Sequence, residues 1–250
     1  MKNLPKNNLE GLESSLKNSQ DKFSNMEYKC LKCRDLRFII TDDCAIPCSC
    51  KSVREAEEIL LNSGISERFR KKTFDNFNYS YSTDVCEAFM KAKEYSKNFD
   101  KASKSNKSIM FYGQVGSGKS FLSMAIANSL MNDGVGVVYM SYREEIIKLK
   151  QNIMDDEYYR RCMDRFKRAK VLLIDDLFKG SISGSDVNIM FEIINFRYLN
   201  CLPIIVSCEK DIYEVMEIDE AIGSRIYEMC FGYLVSFDGK RLNYRMYGRS

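Results

Sequence analysis

The sequence contains no histidine in its 250 residues. This absence excludes histidine-based acid–base catalysis, Ser/His and Cys/His nucleophile pairs, and any metal site that needs an imidazole ligand. No apolar run approaches the roughly 18–20 residues that a membrane span needs. The N-terminus also lacks the apolar core of a signal peptide. We therefore expect no membrane partner.

The chain also carries little net charge, because 38 basic and 35 acidic residues leave only +3. So weak an overall field does not by itself favour nucleic-acid binding, and any basic surface must be local. The candidates are the linker Lys101–Lys107 and a helical stretch that contains Arg160, Arg161, Arg165, Lys167 and Arg168. For both segments, a solvated charged face is the alternative.

Cysteine, in contrast, is abundant, with ten in the chain and five of them between residues 30 and 50. Without a secretion signal, clustered thiols are more typical of metal binding in a reducing compartment than of disulfides, and we expect a cytoplasmic protein. Cys30 and Cys33 form one close pair and Cys48 and Cys50 another, with Cys44 as a spare or substitute ligand. Four thiolates would hold a tetrahedral, structural Zn²⁺, and reduced thiols or an iron–sulfur cluster are the alternatives. The other cysteines lie in apolar contexts and are expected in the core: Cys86, Cys162, Cys201, Cys208 and Cys230.

Short apolar segments alternate with helical patterns beyond residue 107. We expect strands over 108–112, 136–140, 171–175, 203–207 and 232–237, and helices over 119–131, 143–152, 157–169, 185–200 and 211–229. This alternation predicts an α/β fold with a mostly parallel sheet that helices cover on both faces.

The region before residue 107 is organised differently. Leu4, Leu9, Leu12 and Leu16 approximate one apolar helix face, which indicates either a frayed tail or a docking helix. Further helices are expected over 52–62 and 83–99. We divide the chain into an N-terminal cysteine module (1–52), a helical linker that leads into the next region (53–107) and an α/β domain (108–250).

Residues 113–120, Gly-Gln-Val-Gly-Ser-Gly-Lys-Ser, fit the phosphate-loop pattern G-x-x-x-x-G-K-[ST] in full. The loop lies between an expected strand and an expected helix, so its backbone N–H groups and the helix N-terminus can cradle phosphate. Lys119 would reach the β- and γ-phosphates, and the Ser120 hydroxyl would ligate Mg²⁺. A chance match in a glycine-containing turn is the alternative. The predicted nucleotide-binding residues here are Gly113, Gln114, Val115, Gly116, Ser117, Gly118, Lys119, Ser120 and Phe121.

An acidic pair follows a buried strand about 55 residues downstream, in Val-Leu-Leu-Ile-Asp175-Asp176. A strand that delivers an aspartate at its carboxyl end is typical of Mg²⁺ binding beside such a loop. Asp175 would hold the metal, and Asp176 would orient or polarise the attacking water. The next strand should end beside the γ-phosphate with Ser207 as its polar candidate. Arg225 and Arg245 lie near the ends of later elements, where an exposed arginine is usually a solvated charge.

These motifs together resemble the bacterial helicase loaders of the DnaC/DnaI type and the related IstB-like transposition ATPases. The resemblance covers about residues 28–250. Beyond the phosphate loop and the acidic pair, it rests on the cysteine pairs and on the segments Ser63–Phe69, Thr73–Phe77 and Ser224–Met229. It implies an AAA+ P-loop NTPase with a parallel five-stranded sheet flanked by helices, preceded by a small zinc-binding module that docks on a helicase.

The resemblance also implies an activity, cofactors and partners. The expected function is a weak, Mg²⁺-dependent ATPase that binds ATP and ADP and works as an oligomeric switch. It would load a hexameric replicative helicase onto single-stranded DNA during replication initiation, self-associating through the ATPase domain. Arg225 resembles the arginine finger that acts on a neighbouring subunit's nucleotide, and Arg245 resembles the C-terminal sensor arginine.

Two departures from the family pattern concern hydrolysis more than binding. Cys208 stands where relatives usually have a sensor asparagine, and Glu220-Ala221-Ile222 replaces Glu-Arg-Ile. Alternative functions are therefore an IstB-like ATP-binding helper of a transposase and a non-hydrolysing, nucleotide-dependent adaptor. A small-molecule kinase is a weaker alternative, since no acceptor-binding signature is found.

Overall fold

The structure is a computed structural model, and it describes residues 28–41, 44–100, 107–239 and 242–247. The chain divides into two compact units, Met1–Lys51 and Ser52–Ser250. The helix expected from the leucines before residue 17, and all of the Lys101–Lys107 linker except Lys107, lie outside the described residues. Within the part of the chain that is described, no helix is long and apolar enough to cross a membrane.

The first unit contains an antiparallel ribbon of two short strands, β1 (Phe38–Ile40) and β2 (Ala45–Pro47), in which Ile39 pairs with Ile46. The second unit contains the strands β3 (Ile109–Gly113), β4 (Val137–Ser141), β5 (Val171–Leu177), β6 (Ile204–Cys208) and β7 (Leu234–Phe237). The helices are α1 (Lys51–Leu61), which begins at the boundary, α2 (Glu67–Arg70), α3 (Thr83–Asn98), α4 (Lys119–Asn132), α5 (Tyr142–Gln151), α6 (Asp156–Arg168), α7 (Gly184–Leu199), α8 (Ile212–Ile218), α9 (Glu220–Met229) and α10 (Tyr244–Tyr247). A short 3₁₀ turn, Phe74–Asn76, precedes α3.

The five strands of the second unit form one parallel sheet in the order β4-β5-β6-β3-β7. Successive side chains of a strand point to opposite faces, so the apolar run of β5 supplies both sides of the sheet. Leu172 and Ile174 pack with one hydrophobic cluster, and Val171 and Leu173 pack with the other. The prediction of a parallel five-stranded sheet flanked by helices is therefore confirmed.

The expected single helix over 211–229 is wrong, because the segment contains two helices, α8 and α9. Asp219 has an extended backbone, with φ −159°, and its side chain accepts a hydrogen bond from the N–H of Ile222 at 2.8 Å. This N-cap starts α9 in a new direction. A Cβ atom at Gly223 would lie 2.8 Å from the backbone of Met216, so glycine permits the close contact between the two helices.

The remaining cysteines are only partly where we expected them. Cys208 and Cys230 are buried, whereas Cys86 and Cys162 are half-buried. Cys201 is exposed, in a turn where its φ of +52° is left-handed, so its assignment to the core is wrong. Of the apolar residues near Cys201, Ile204 at the start of β6 is fully buried, whereas Leu199 at the end of α7 is exposed.

Candidate functional site

The glycine-rich loop 113–120 joins β3 to α4, at the carboxyl edge of the sheet. Gly116 and Gly118 have φ values of +75° and +105°, a left-handed region that favours glycine. A Cβ atom at Gly118 would lie 2.8 Å from the Phe77 ring, and one at Gly116 would collide with the Asn243 amide. Both backbone conformation and space therefore require glycine at these two positions.

Lys119 begins α4 and folds back over the loop. Its ammonium donates to the carbonyl oxygens of Gly113, at 2.7 Å, and of Gln114, at 2.6 Å. The side chain is only 5% exposed. Burial lowers the pKa of Lys119, while the negative charges of Glu209 and Asp176 act in the opposite direction. Lys119 is thus a largely desolvated cation at the loop that the sequence predicted to bind phosphate.

Asp175, at the end of β5, is a buried carboxylate held by neutral hydroxyl groups. Its Oδ1 accepts from the Ser207 hydroxyl, and its Oδ2 accepts from the Tyr139 hydroxyl at 3.1 Å. Among the described residues, no ammonium or guanidinium group lies within ion-pair distance of Asp175. A buried, hydrogen-bonded carboxylate without a cationic partner is a donor that suits Mg²⁺.

Ser207 connects the two aspartates. Its Oγ accepts from the backbone N–H of Asp176 at 2.9 Å while its own hydroxyl donates to Asp175. The side chain is fully buried between β5 and β6. Ser207 therefore fixes the acidic pair and does not face the cavity described next.

A cavity of about 760 Å³ opens above the loop. Of the predicted site residues, it is lined by Val115, Gly116, Gly118, Lys119, Ser120, Phe121, Asp176 and Arg245. Those that do not line it are Gly113, Gln114, Ser117, Asp175, Ser207 and Arg225. The lining residues that sequence reasoning missed are Lys71, Lys72, Asn76, Phe77, Asn78, Tyr81, Lys179, Glu209 and Tyr244.

Two distant segments complete the cavity wall. The segment around Phe77 and Tyr81 comes from before α3, and Tyr244 comes from α10. The Tyr81 and Tyr244 rings lie 5.2 Å apart, and the Tyr244 N–H donates to the carbonyl oxygen of Gly116 at 3.0 Å. In the sequence, the Thr73–Phe77 segment is the signal for this part of the cavity wall, but aromatic residues in such a segment are equally typical of core packing.

Arg225 lies away from the cavity, on the surface between α7 and α9. Its Nε donates to the Asn195 side chain at 3.1 Å, and its NH1 group donates to the Ala221 carbonyl at 2.8 Å. The guanidinium also lies 5.4 Å from the Phe191 ring centre and 5.5 Å from that of Tyr198. These contacts fix the Arg225 side chain at a position that does not line the cavity of its own chain.

The four predicted zinc ligands meet in the first unit. The sulfurs of Cys30, Cys33, Cys48 and Cys50 all lie within 4.8 Å of one another. The Cys30–Cys48 sulfurs are 3.8 Å apart and the Cys33–Cys50 sulfurs 3.5 Å apart. A tetrahedral site with Zn–S bonds of about 2.3 Å separates its sulfurs by about 3.8 Å, so the spacing fits zinc.

The four thiols do not ionise independently of one another. A hydrogen bond from the Cys33 backbone lowers the pKa of Cys30 to about 6. Burial, followed by the other three sulfurs, raises the pKa of Cys50 to about 12. Four thiolates this close repel one another unless a cation lies between them. Cys44 stands outside the cluster, with its sulfur 3.2 Å from the Thr41 hydroxyl.

Helix α6 is a candidate surface for nucleic acid, but several of its basic side chains form ion pairs within the chain. Arg165 pairs with Glu145 at 2.9 Å and Lys167 with Glu192 at 2.8 Å. Arg168 pairs with Asp164 at 3.3 Å. These pairs favour the alternative of a solvated, internally neutralised face.

Comparison with known proteins agrees with the fold and the loop. A family model described as IstB-like ATP binding protein matches residues 49–221. The chain is 36% identical over 235 residues to the phage-like element PBSX protein XkdC of Bacillus subtilis, covering 88% of this chain and 87% of that protein. It is 27% identical over 143 residues to the replicative helicase loader DnaC of Buchnera aphidicola, covering 56% of each.

Solved structures share the fold at low sequence identity. The crystal structure of DnaI gives a TM-score of 0.58 at 18% identity and covers 72% of this chain and 94% of that one. The crystal structure of the DnaC helicase loader gives 0.57 at 18% identity, covering 69% of this chain and all of that one. With a family model that matches more than half of its length, this chain belongs to the IstB-like ATP-binding proteins of the AAA+ P-loop class.

Proposed function

We propose that this protein is an ATP-dependent loader of a hexameric replicative helicase onto single-stranded DNA. The observation that carries the proposal is the cavity in which the glycine loop, Lys119 and Asp176 meet at one edge of a parallel sheet. In open α/β sheets, ligands bind at the carboxyl ends of the strands, where the strand order reverses. Here the reversal lies at β3, from which the loop extends.

Each residue of the loop has a defined part in the proposed nucleotide site. The backbone N–H groups of residues 115–120, which lead into the N-terminus of α4, would donate to phosphate oxygens, and Lys119 supplies a desolvated positive charge. Ser120 and the buried Asp175 would hold Mg²⁺, which, when bound, neutralises phosphate charge. Asp176 lines the cavity and orients the attacking water. Phe77, Tyr81 and Tyr244 offer rings at the part of the wall that can receive the base of ATP or ADP.

Self-association through the ATPase domain is the second part of the proposal. Arg225 cannot serve its own chain's cavity, which it does not line. Its contacts with Asn195 and Ala221 leave the α7–α9 surface with a fixed guanidinium group, as an arginine finger for a neighbouring subunit requires. Arg245 lines the cavity and would sense the nucleotide within the same chain.

Helicase loading is favoured over other uses of the ATPase by two observations. One relative carries the name replicative helicase loader DnaC. For the first unit, which we call the cysteine unit, we propose a structural Zn²⁺. This unit also exposes apolar side chains that can dock on a protein partner, namely Leu31, Leu36, Ile40 and Ile46. Contact with single-stranded DNA would be electrostatic and salt-dependent.

A second candidate, a nucleotide-dependent adaptor that does not hydrolyse ATP, is favoured by one residue. Cys208, at the position of the missing sensor amide, is fully buried and donates its S–H to the Leu177 carbonyl at 3.1 Å. Cys208 has no side-chain amide to donate to a γ-phosphate. A transposase helper is the other alternative within the family.

A pull-down with the host's replicative helicase, combined with an ATPase assay, tests the proposal. We expect the purified protein to capture the helicase in the presence of ATP and to hydrolyse ATP slowly, with stimulation by single-stranded DNA. Capture of the helicase without hydrolysis would support the adaptor. If the helicase is not captured under any nucleotide condition, the loader proposal is wrong, whatever the ATPase rate.

A further inference from the structure

Lys179 forms two ion pairs at the edge of the cavity. Its ammonium lies 2.9 Å from Oδ2 of Asp176 and 2.8 Å from Oε1 of Glu209. All three residues line the cavity, and their side chains are 33–42% exposed. Lys179 is therefore shared between Asp176, the carboxylate proposed to orient water, and Glu209, which directly follows β6.

The backbone around Asp176 is built to present this pair. A bulge interrupts β5 between Ile174 and Leu177, and Asp176 and Phe178 have φ values of +56° and +55°. Left-handed conformations are unfavourable for residues with side chains and persist only where their surroundings enforce them. Phe178 supplies that restraint, because it is fully buried and its ring meets Tyr142 edge-on at 5.6 Å.

The pKa of Lys179 is consistent with an ammonium that remains paired with the two carboxylates. Partial burial would lower the pKa of Lys179, but its hydrogen bonds to Asp176 and Glu209 outweigh burial and raise it. Lys179 is therefore a cation that competes with other donors for Asp176. Exposed ion pairs of this kind add little to folding stability.

We infer that Lys179 is a positioning residue that restrains Asp176 by an exchangeable ion pair, with Glu209 as the competing partner. While Lys179 donates to Oδ2 of Asp176, its positive charge makes that carboxylate a weaker acceptor for a hydrogen of the attacking water. When Lys179 turns to Glu209, Asp176 is released. Lys179 thereby lowers the turnover of a bound nucleoside triphosphate, and Glu209 partly restores it. The inference rests on the proposed ATP site.

Steady-state ATPase kinetics of single variants test the inference. In Lys179→Met we expect kcat to rise about fivefold, with KM for ATP within about twofold of wild type. In Glu209→Gln we expect kcat to fall about threefold, because Lys179 then has only Asp176 as its partner. Lys179→Arg, which keeps the cation, should return kcat to within about twofold of wild type.

Lys210→Met is the matched control, since it removes a neighbouring lysine that does not line the cavity. It should leave kcat within about twofold of wild type. If the wild type binds and hydrolyses ATP but Lys179→Met has no higher kcat, this inference is wrong while the proposed function stands. The inference is equally overturned if Glu209→Gln raises kcat. A wild type that binds no ATP overturns the proposed function, and this inference with it.

Discussion

Lys119→Ala should lose tight ATP binding. Lys119 is almost fully buried, and its ammonium donates to two carbonyl oxygens of the loop. A phosphate oxygen that takes the place of these acceptors would therefore pair with a desolvated cation. Removing one partner of a buried, hydrogen-bonded charge pair costs about 2–5 kcal/mol, which corresponds to a roughly 30- to 4,000-fold weaker Kd. Isothermal titration calorimetry with ATP and Mg²⁺ measures this change directly.

The control for Lys119 is another lysine of the same domain. Lys97 is exposed in the last turn of α3 and does not line the cavity, so Lys97→Ala should bind ATP as wild type does. Lys119→Met, which keeps the apolar part of the side chain, should behave as Lys119→Ala does. Unchanged ATP affinity in both Lys119 variants would contradict the assignment of the site.

Cys48→Ser should abolish binding of the proposed zinc and unfold the cysteine unit. Cys48 is buried within a cluster of four sulfurs that has the spacing of a tetrahedral site. The four cysteines lie within residues 30–50, and a segment of that size, below about 40 residues, rarely folds alone without a metal or disulfides. A structural zinc contributes about 10–16 kcal/mol of apparent binding free energy. We expect one zinc per chain in the wild type by plasma mass spectrometry, and rapid proteolysis within residues 28–51 in the variant.

Two cysteines serve as matched controls for the zinc prediction. Cys44→Ser and Cys201→Ser change exposed thiols outside the cluster, so both should keep one zinc per chain. Loss of zinc from Cys44→Ser would contradict the ligand set. Iron with acid-labile sulfide in the purified wild type would contradict zinc as the metal. ATP affinity should persist in Cys48→Ser, because Cys48 belongs to the first unit and the phosphate loop to the second.

The sheet and the phosphate loop could be predicted from local patterns. Apolar strands such as Val171–Ile174 are recognisable because both faces of a parallel sheet are buried. The loop is recognisable because its glycines and its lysine serve one local geometry. Cys30, Cys33 and the second cysteine pair come together as the sequence predicted, since their spacing already limits how they can meet.

Contacts between distant segments could not be predicted in this way. Lys179 and Glu209 are 30 residues apart and meet because β5 and β6 are neighbours, which the sequence does not reveal. Tyr244 reaches the loop through a backbone hydrogen bond to Gly116, for which its side chain gives no signal. The sequence indicates Ser207 only as a polar residue at a strand end. The packed sheet reveals that its hydroxyl is hydrogen-bonded to both aspartates.

Helicase transfer onto DNA is the measurement that tests the central claim most directly. The host's purified replicative helicase is incubated with closed circular single-stranded DNA, ATP and this protein, and the helicase retained on the circle is quantified after gel filtration. We predict that wild-type protein with ATP deposits the helicase on the circle and that Lys119→Ala protein does not. Equal helicase retention with wild type, with Lys119→Ala and without either protein would contradict the claim that this protein is an ATP-dependent helicase loader.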